Sequence, residues 1–202
     1  MKSMITVLWE RSLKKKQVEQ RLKQSGRDYL GSENSYSFEI KYGFDSEPGH
    51  FALTDDTSLI YEDGHESDYG VYIAGNWRFE IGIDTKTGRC VSLTAFLSRL
   101  TAKRRVLELP DADPGRLVFC SNEMEQGLCD YVNTPDNAVY FDPAEKILCI
   151  GDPDSVGESV AFSRYICAVV SGGKLVSVYL DLKDLKSPPD AGISLVDCII
   201  LV

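Results

Sequence analysis

The stretch RFEIGIDTKTGRCVSLTAFL, residues 78–97, has the pattern of a β-hairpin. Phe79, Ile81 and Ile83 alternate with polar or small residues, and the turn that follows contains a glycine. Residues 164–182, RYICAVVSGGKLVSVYLDL, align with this stretch if one residue is lost in the turn. The sequence therefore predicts two hairpins of related sequence.

The similarity extends upstream of both hairpins. Asp55, Ile60 and Gly64 align with Asp142, Ile147 and Gly151 at an offset close to that of the hairpins. The favoured interpretation is an internal duplication with copies at 51–97 and 138–182. The alternative is that any two amphipathic hairpins share valine, isoleucine and a turn glycine. Because a lone hairpin cannot bury its apolar face, we expect the two units to pack together or to extend one sheet.

The expected fold class is α+β with antiparallel strands predominating. A strand is predicted at Ile5–Trp9, and a short helix over Ser12–Ser25, which is rich in helix formers and ends before a glycine. The predicted division is an N-terminal strand and helix segment (1–50), a first β unit (51–97), a connecting segment with a hairpin (98–137) and a second β unit (138–202). These parts form one compact domain or two closely packed subdomains. The turn residues between 105–109 and 116–120 are expected to close a hairpin of the connecting segment or to form a connection between adjacent strands.

Composition favours a folded cytoplasmic protein. The chain has 202 residues, of which 43% are hydrophobic and 26% charged, which is ordinary for a globular protein. The apolar C-terminal run over 193–202 is too short to span a membrane, which takes roughly 20 residues, and we expect it to pair internally or in a homodimer. The N-terminus lacks the features of a signal peptide. The six cysteines show no Cys-x-x-Cys spacing, so buried thiols in a reducing compartment are expected.

Charge is distributed unevenly along the chain. The formal net charge is −9, but residues 1–30 hold eight basic and three acidic side chains. The remainder of the chain is therefore strongly acidic. An acidic body repels nucleic-acid phosphates, so we expect no nucleic-acid binding. The lysines at 14–16 are interpreted as a solvated helix face.

Acidic side chains concentrate in one short segment that we interpret as the binding site. Its candidate residues are Asp55, Asp56, Glu62, Asp63, His65, Glu66, Asp68 and Tyr69. Such a segment can be simply solvated, can bind a basic protein, or can hold a cation through its oxygen atoms. The spacing matches no EF-hand loop, and the chain has only two histidines, at 50 and 65. We therefore predict partner binding, with no metal, no cofactor and no catalytic residue.

The sequence favours a non-enzymatic, acidic protein-binding module. The expected partner is a basic protein, such as a toxin or nuclease domain neutralised by an immunity-type inhibitor, because an acidic surface can occupy a phosphate-binding cleft. One alternative is a metal-dependent hydrolase or other enzyme that uses the acidic segment around His65. Another is a structural or self-associating subunit.

Overall fold

The described part of the chain is built from β-strands. The computed structural model describes residues 6–9, 38–41, 50–55, 69–73, 76–85, 88, 90–97, 99–114, 117–120, 125–132, 137–163, 165–183 and 199–202. Within these ranges there are sixteen strands and no helix. The strands are β1 (Thr6–Trp9), β2 (Phe38–Lys41), β3 (His50–Asp55), β4 (Tyr69–Ile73), β5 (Asn76–Ile83), β6 (Cys90–Phe96), β7 (Leu100–Arg104), β8 (Asp113–Pro114), β9 (Leu117–Cys120), β10 (Leu128–Val132), β11 (Val139–Asp142), β12 (Ile147–Gly151), β13 (Glu158–Ser163), β14 (Ile166–Ser171), β15 (Lys174–Asp181) and β16 (Ile199–Leu201). The helix predicted over Ser12–Ser25 lies outside the described residues.

The strands form two large mixed sheets and one small one. The order in the six-stranded sheet is β10-β4-β5-β6-β3-β2, and in the eight-stranded sheet it is β16-β7-β11-β12-β15-β14-β13-β8. β1 and β9 pair as a separate two-stranded sheet. Parallel pairing occurs where β10 joins β4, β8 joins β13, β7 joins β11 and β16 joins β7, while the other described pairs are antiparallel. The prediction of a β-dominated fold is confirmed.

Each large sheet contains five consecutive strands in the same spatial order. In chain order these are β2–β6, which we call the first unit, and β11–β15, which we call the second unit. Their sheet orders are β4-β5-β6-β3-β2 and β13-β14-β15-β12-β11, antiparallel throughout. In each unit the third strand is flanked by an added parallel strand, β10 or β8. The two units therefore share one topology.

The irregularities of the two units also coincide. In the first hairpin the pairing steps from Gly82–Ser92 to Ile83–Cys90, so that Val91 is an extra residue. In the second hairpin it steps from Val169–Ser177 to Val170–Leu175, and the extra residue is Val176. A β-bulge is a specific local feature and does not follow from topology alone.

The register corrects the hairpin alignment made from sequence. Leu93 and Val178 occupy the same position in their units, at the predicted offset. Their partners on the preceding strands are Ile81 and Ala168, whereas the sequence alignment had placed Cys167 opposite Ile81. A slip of one residue exchanges the two faces of a strand. The alignment of the first strand of each hairpin was therefore wrong by one residue. The upstream alignment of Asp55 with Asp142 is also wrong, because Asp55 ends the second strand of its unit and Asp142 ends the first strand of its own.

One continuous apolar core contains inward-facing residues of both sheets. It includes Val71, Ile81 and Leu93 of the first unit and Val160 and Val178 of the second, all of them fully buried. The second unit buries its other face as well, in what we call the outer cluster. This cluster comprises Leu107, Ile147, Cys149, Cys167, Val169, Val176 and Tyr179.

The predicted half-buried alternation of the last hairpin strand is wrong. In the sequence, Val176, Val178 and Leu180 alternate with polar or partly polar residues, which predicts that these three lie on one face of β15. Instead the bulge places Val176 in the outer cluster, while Val178 and Leu180 lie in the core. A strand that is buried on both faces has no polar side to reveal its register.

Residues 105–112 cross the outer face of the eight-stranded sheet, and we call them the strap. The strap leaves β7 on one side of the second unit and enters β8 on the other. Six strand spacings of about 4.8 Å make this a span of roughly 29 Å, which eight to nine residues cover only when nearly extended. The strap is not a strand, and the run at 117–120 pairs with β1. The hairpin expected between 105–109 and 116–120 therefore does not form.

Candidate functional site

The predicted acidic segment links β3 to β4 at one end of the six-stranded sheet. Asp55 is the last residue of β3, and Tyr69 is the first residue of β4. In the sheet these two strands are separated by β5 and β6, whose turn lies at the same end. The other six candidates, Asp56, Glu62, Asp63, His65, Glu66 and Asp68, lie outside the described residues.

The corresponding link in the second unit is residues 152–157, between β12 and β13. Asp152 organises it: its Oδ1 accepts a hydrogen bond from the Asp154 N–H (3.0 Å), and its Oδ2 accepts one from the Ser155 hydroxyl (2.9 Å). The Tyr179 hydroxyl donates to the Pro153 carbonyl oxygen (3.1 Å). These bonds hold the link against the outer cluster and fix the position of the Asp154 carboxylate.

Asp154 binds an arginine of the strap. The Arg105 guanidinium donates to Asp154 Oδ1 in an ion pair at the surface. The same guanidinium lies over the Tyr140 ring, 5.4 Å from its centroid. Surface ion pairs contribute on the order of 0–1 kcal/mol, so this contact fixes register more than it adds stability.

Apolar contact holds the rest of the strap. Leu107 is 4% exposed and belongs to the outer cluster, and its N–H donates to Asp142 Oδ2 (2.9 Å). Val106 is 85% exposed. The second unit thus binds an extended segment of its own chain through one arginine and one leucine.

The cysteines of the outer cluster are unsuited to nucleophilic chemistry. Burial raises the pKa of Cys149 and of Cys167 to about 12, so both are protonated thiols at neutral pH. Cys90 is also buried, as expected, whereas Cys129 is exposed, contrary to the expectation. The five described cysteines are free thiols, and Cys198 lies outside the described residues.

A glutamate that the sequence reasoning did not select lies on the opposite side of the molecule. Glu80 is at the centre of β5, between Phe79 and Ile81, which point into the core. It therefore faces outward, paired with Tyr72 on one side and Thr94 on the other. Partial burial raises the pKa of the Glu80 carboxyl. The strict alternation of β5 was the signal that could have identified it.

Glu80 folds over a glycine of the neighbouring strand. A Cβ added at Gly70 would collide with Glu80 Oε1 and would lie 3.1 Å from its Cδ. Gly70 is paired in turn with Gly82, so two adjacent positions lack side chains. The Glu80 carboxylate therefore occupies the space that a side chain at position 70 would fill.

Neither the known protein families nor the curated proteins include a match to this sequence. Among the described residues, no group of three or more histidine, cysteine, aspartate or glutamate side chains is placed to hold a metal ion. The described ranges also contain no helix that is long and apolar enough to cross a membrane.

Proposed function

We propose that the chain is a non-enzymatic, acidic protein-binding module, built from a duplicated five-stranded unit, that docks a basic protein partner. A toxin or nuclease domain bound by an immunity-type inhibitor is the kind of partner this chemistry suits. The residues proposed to bind are Asp55, Asp56, Glu62, Asp63, His65, Glu66, Asp68 and Tyr69.

The contact between Arg105 and Asp154 supports this proposal. In the second unit, the link between the second and third strands supplies a carboxylate to an arginine that approaches over the sheet. In the first unit, the same link is the acidic segment, which has more carboxylates. A shared strand order and a shared bulge position favour descent of both units from one ancestor, and with it a shared way of binding.

Salt dependence tests the proposed function. A basic partner captured by the immobilised protein and then purified would be titrated calorimetrically at about 50 mM and 500 mM salt, where electrostatic attraction is respectively weakly and strongly screened. We expect binding to weaken at high salt. Replacing Asp56, Glu62, Asp63 and Glu66 by their amides should weaken it at least about tenfold at low salt.

The matched control replaces four carboxylates elsewhere, those of Glu108, Asp111, Glu125 and Glu158, by amides. These side chains are exposed, and the change in net charge is the same. Equal loss of binding in both variants would assign the effect to overall charge and contradict a site at 55–69. A complex that is retained equally at both salt concentrations would contradict charge-driven docking.

A further inference from the structure

The outer faces of the two units differ in chemistry at matching positions. On the second unit, Cys167 and Tyr179 are buried under the strap. The positions that match them by register on the first unit hold Glu80 and Thr94, which are only partly buried. The outer face of the second unit is thus apolar at its centre and is covered by a leucine. The outer face of the first unit has a carboxylate at its centre.

The geometry around Glu80 suits a cation. Its carboxylate leans toward β4, over Gly70. The positive group nearest to it along β5, Arg78, leans the other way, since its guanidinium donates to the Phe96 carbonyl oxygen on β6 (3.4 Å). A partly desolvated carboxylate gains most from an arginine, whose planar guanidinium binds carboxylates through two hydrogen bonds.

We propose that the outer face of the six-stranded sheet is a docking surface for an extended, arginine-containing segment of the basic partner, with the arginine on Glu80. This inference rests on the proposed function and names a second contact with the same partner. The strap is the internal template: it lies extended over the matching face of the second unit, with an arginine at its rim and a leucine two residues later in the outer cluster. The segment bound by the first unit differs from the strap in one respect. Because the central group of this face is a carboxylate, the arginine of the bound segment, and not a leucine, contacts the centre of the face.

A peptide titration tests the docking surface directly. The probe is a blocked synthetic peptide, Lys-Arg-Arg-Val-Leu-Glu-Leu-Pro, which copies residues 103–110. Added to the full-length ¹⁵N-labelled protein, it should shift the amide resonances of Gly70, Gly82 and Thr94. A peptide with alanine in place of both arginines should not.

Two variants separate the role of Glu80 from folding. Glu80→Gln keeps the shape of the side chain, and we expect it to weaken peptide binding about tenfold. Gly70→Ala displaces the carboxylate without altering its charge and should weaken binding similarly. Glu108→Gln, on the exposed side of the strap, makes the same charge change and should have no effect. Amide spectra of each variant without peptide show whether the fold is retained.

Several results would overturn the inference. One is that the wild-type protein does not bind the peptide, and another is that Glu80→Gln, Gly70→Ala and Glu108→Gln all bind it with equal affinity. A third is that the shifts are confined to Val169, Tyr179 and the strap, which would mean that the peptide only displaces the strap, whose sequence it copies. Shifts at residues 10–30 caused by Glu80→Gln without peptide would make the chain's own basic segment the occupant. Peptide binding that survives amide substitution at 55–69 but not Glu80→Gln would uphold the docking surface. The proposed function is contradicted separately, if the same amide substitutions leave binding of the purified partner unchanged.

Discussion

At the scale of single residues, Asp142 attaches the strap to the second unit through its carboxylate. Its side chain is buried, and it accepts hydrogen bonds from three backbone N–H groups, those of Leu107 (2.9 Å), Ala144 (2.8 Å) and Glu145 (3.2 Å). One carboxylate therefore joins the strap to the turn between β11 and β12. These backbone hydrogen bonds lower the pKa of Asp142.

The lowered pKa of Asp142 predicts a loss of stability in acid. Because the carboxylate is favoured in the folded state, its contribution is fully present above the unfolded value of about 3.9 and is lost as pH falls through the lower folded value. Asp142→Asn should lower the melting temperature at pH 6, and this difference from the wild type should shrink progressively as the pH falls below the unfolded value. Thermal melts at several pH values would measure this, with Asp111→Asn on the exposed part of the strap as the control. A constant difference at every pH would contradict the prediction.

At the scale of elements, the strap has the sequence pattern of a strand because it lies extended over an apolar surface. Val106 and Glu108 are exposed and Leu107 is buried, so the strap has the alternation of a strand. Its backbone, however, makes single hydrogen bonds and no strand ladder. The Arg105 N–H donates to the Phe141 carbonyl oxygen (3.1 Å), and the Leu107 N–H donates to the Asp142 carboxylate. Alternation reports that a chain is extended over an apolar surface. It does not report whether a ladder partner exists.

Adjacent residues of the strap provide a matched pair of substitutions. Leu107→Ala removes a buried side chain above the outer cluster and should lower the free energy of unfolding by roughly 2–3 kcal/mol. Val106→Ala, next to it but exposed, should change the free energy by less than about 0.5 kcal/mol. Urea denaturation of both variants would measure the difference. Equal effects would show that the strap does not depend on Leu107 for its attachment.

At the scale of the whole molecule, the two units do not have separate interiors. The core contains Leu93 of the first unit and Val178 of the second in one cluster, together with Leu100 and Phe119 from the segment that connects the units. The division of the chain into consecutive parts, which the sequence suggested, therefore does not correspond to separate cores. Strand pairing also links the connecting segment to both units. Within this segment, β10 pairs with β4 of the first unit, and β7 pairs with β11 of the second unit.

A shared core predicts one cooperative unfolding transition. Leu93→Ala, a fully buried truncation, should destabilise by about 3 kcal/mol and should reduce hydrogen-exchange protection in β14 and β15 as much as in β5 and β6. Val156→Ala, at a site 88% exposed, is the control. Loss of protection restricted to the first unit would indicate two independently unfolding halves.

The sequence predicted the strand content and the turn glycines because those depend on local patterns. Gly88 and Gly173, for example, both have positive φ, at 73° and 76°. It did not predict the register of β14, because strands buried on both faces show no alternation. Glu80 was missed for a different reason. The alternation of β5 places it on the outward face, but a single glutamate on a polar face is unremarkable until Gly70 and Gly82 are placed beside it.

The placement of β10 has a consequence for synthesis on the ribosome. β4 is made early, but the strand that pairs with its outer side, Leu128–Val132, is translated some sixty residues later. Until then the nascent chain presents a bare strand edge on which another polypeptide can assemble.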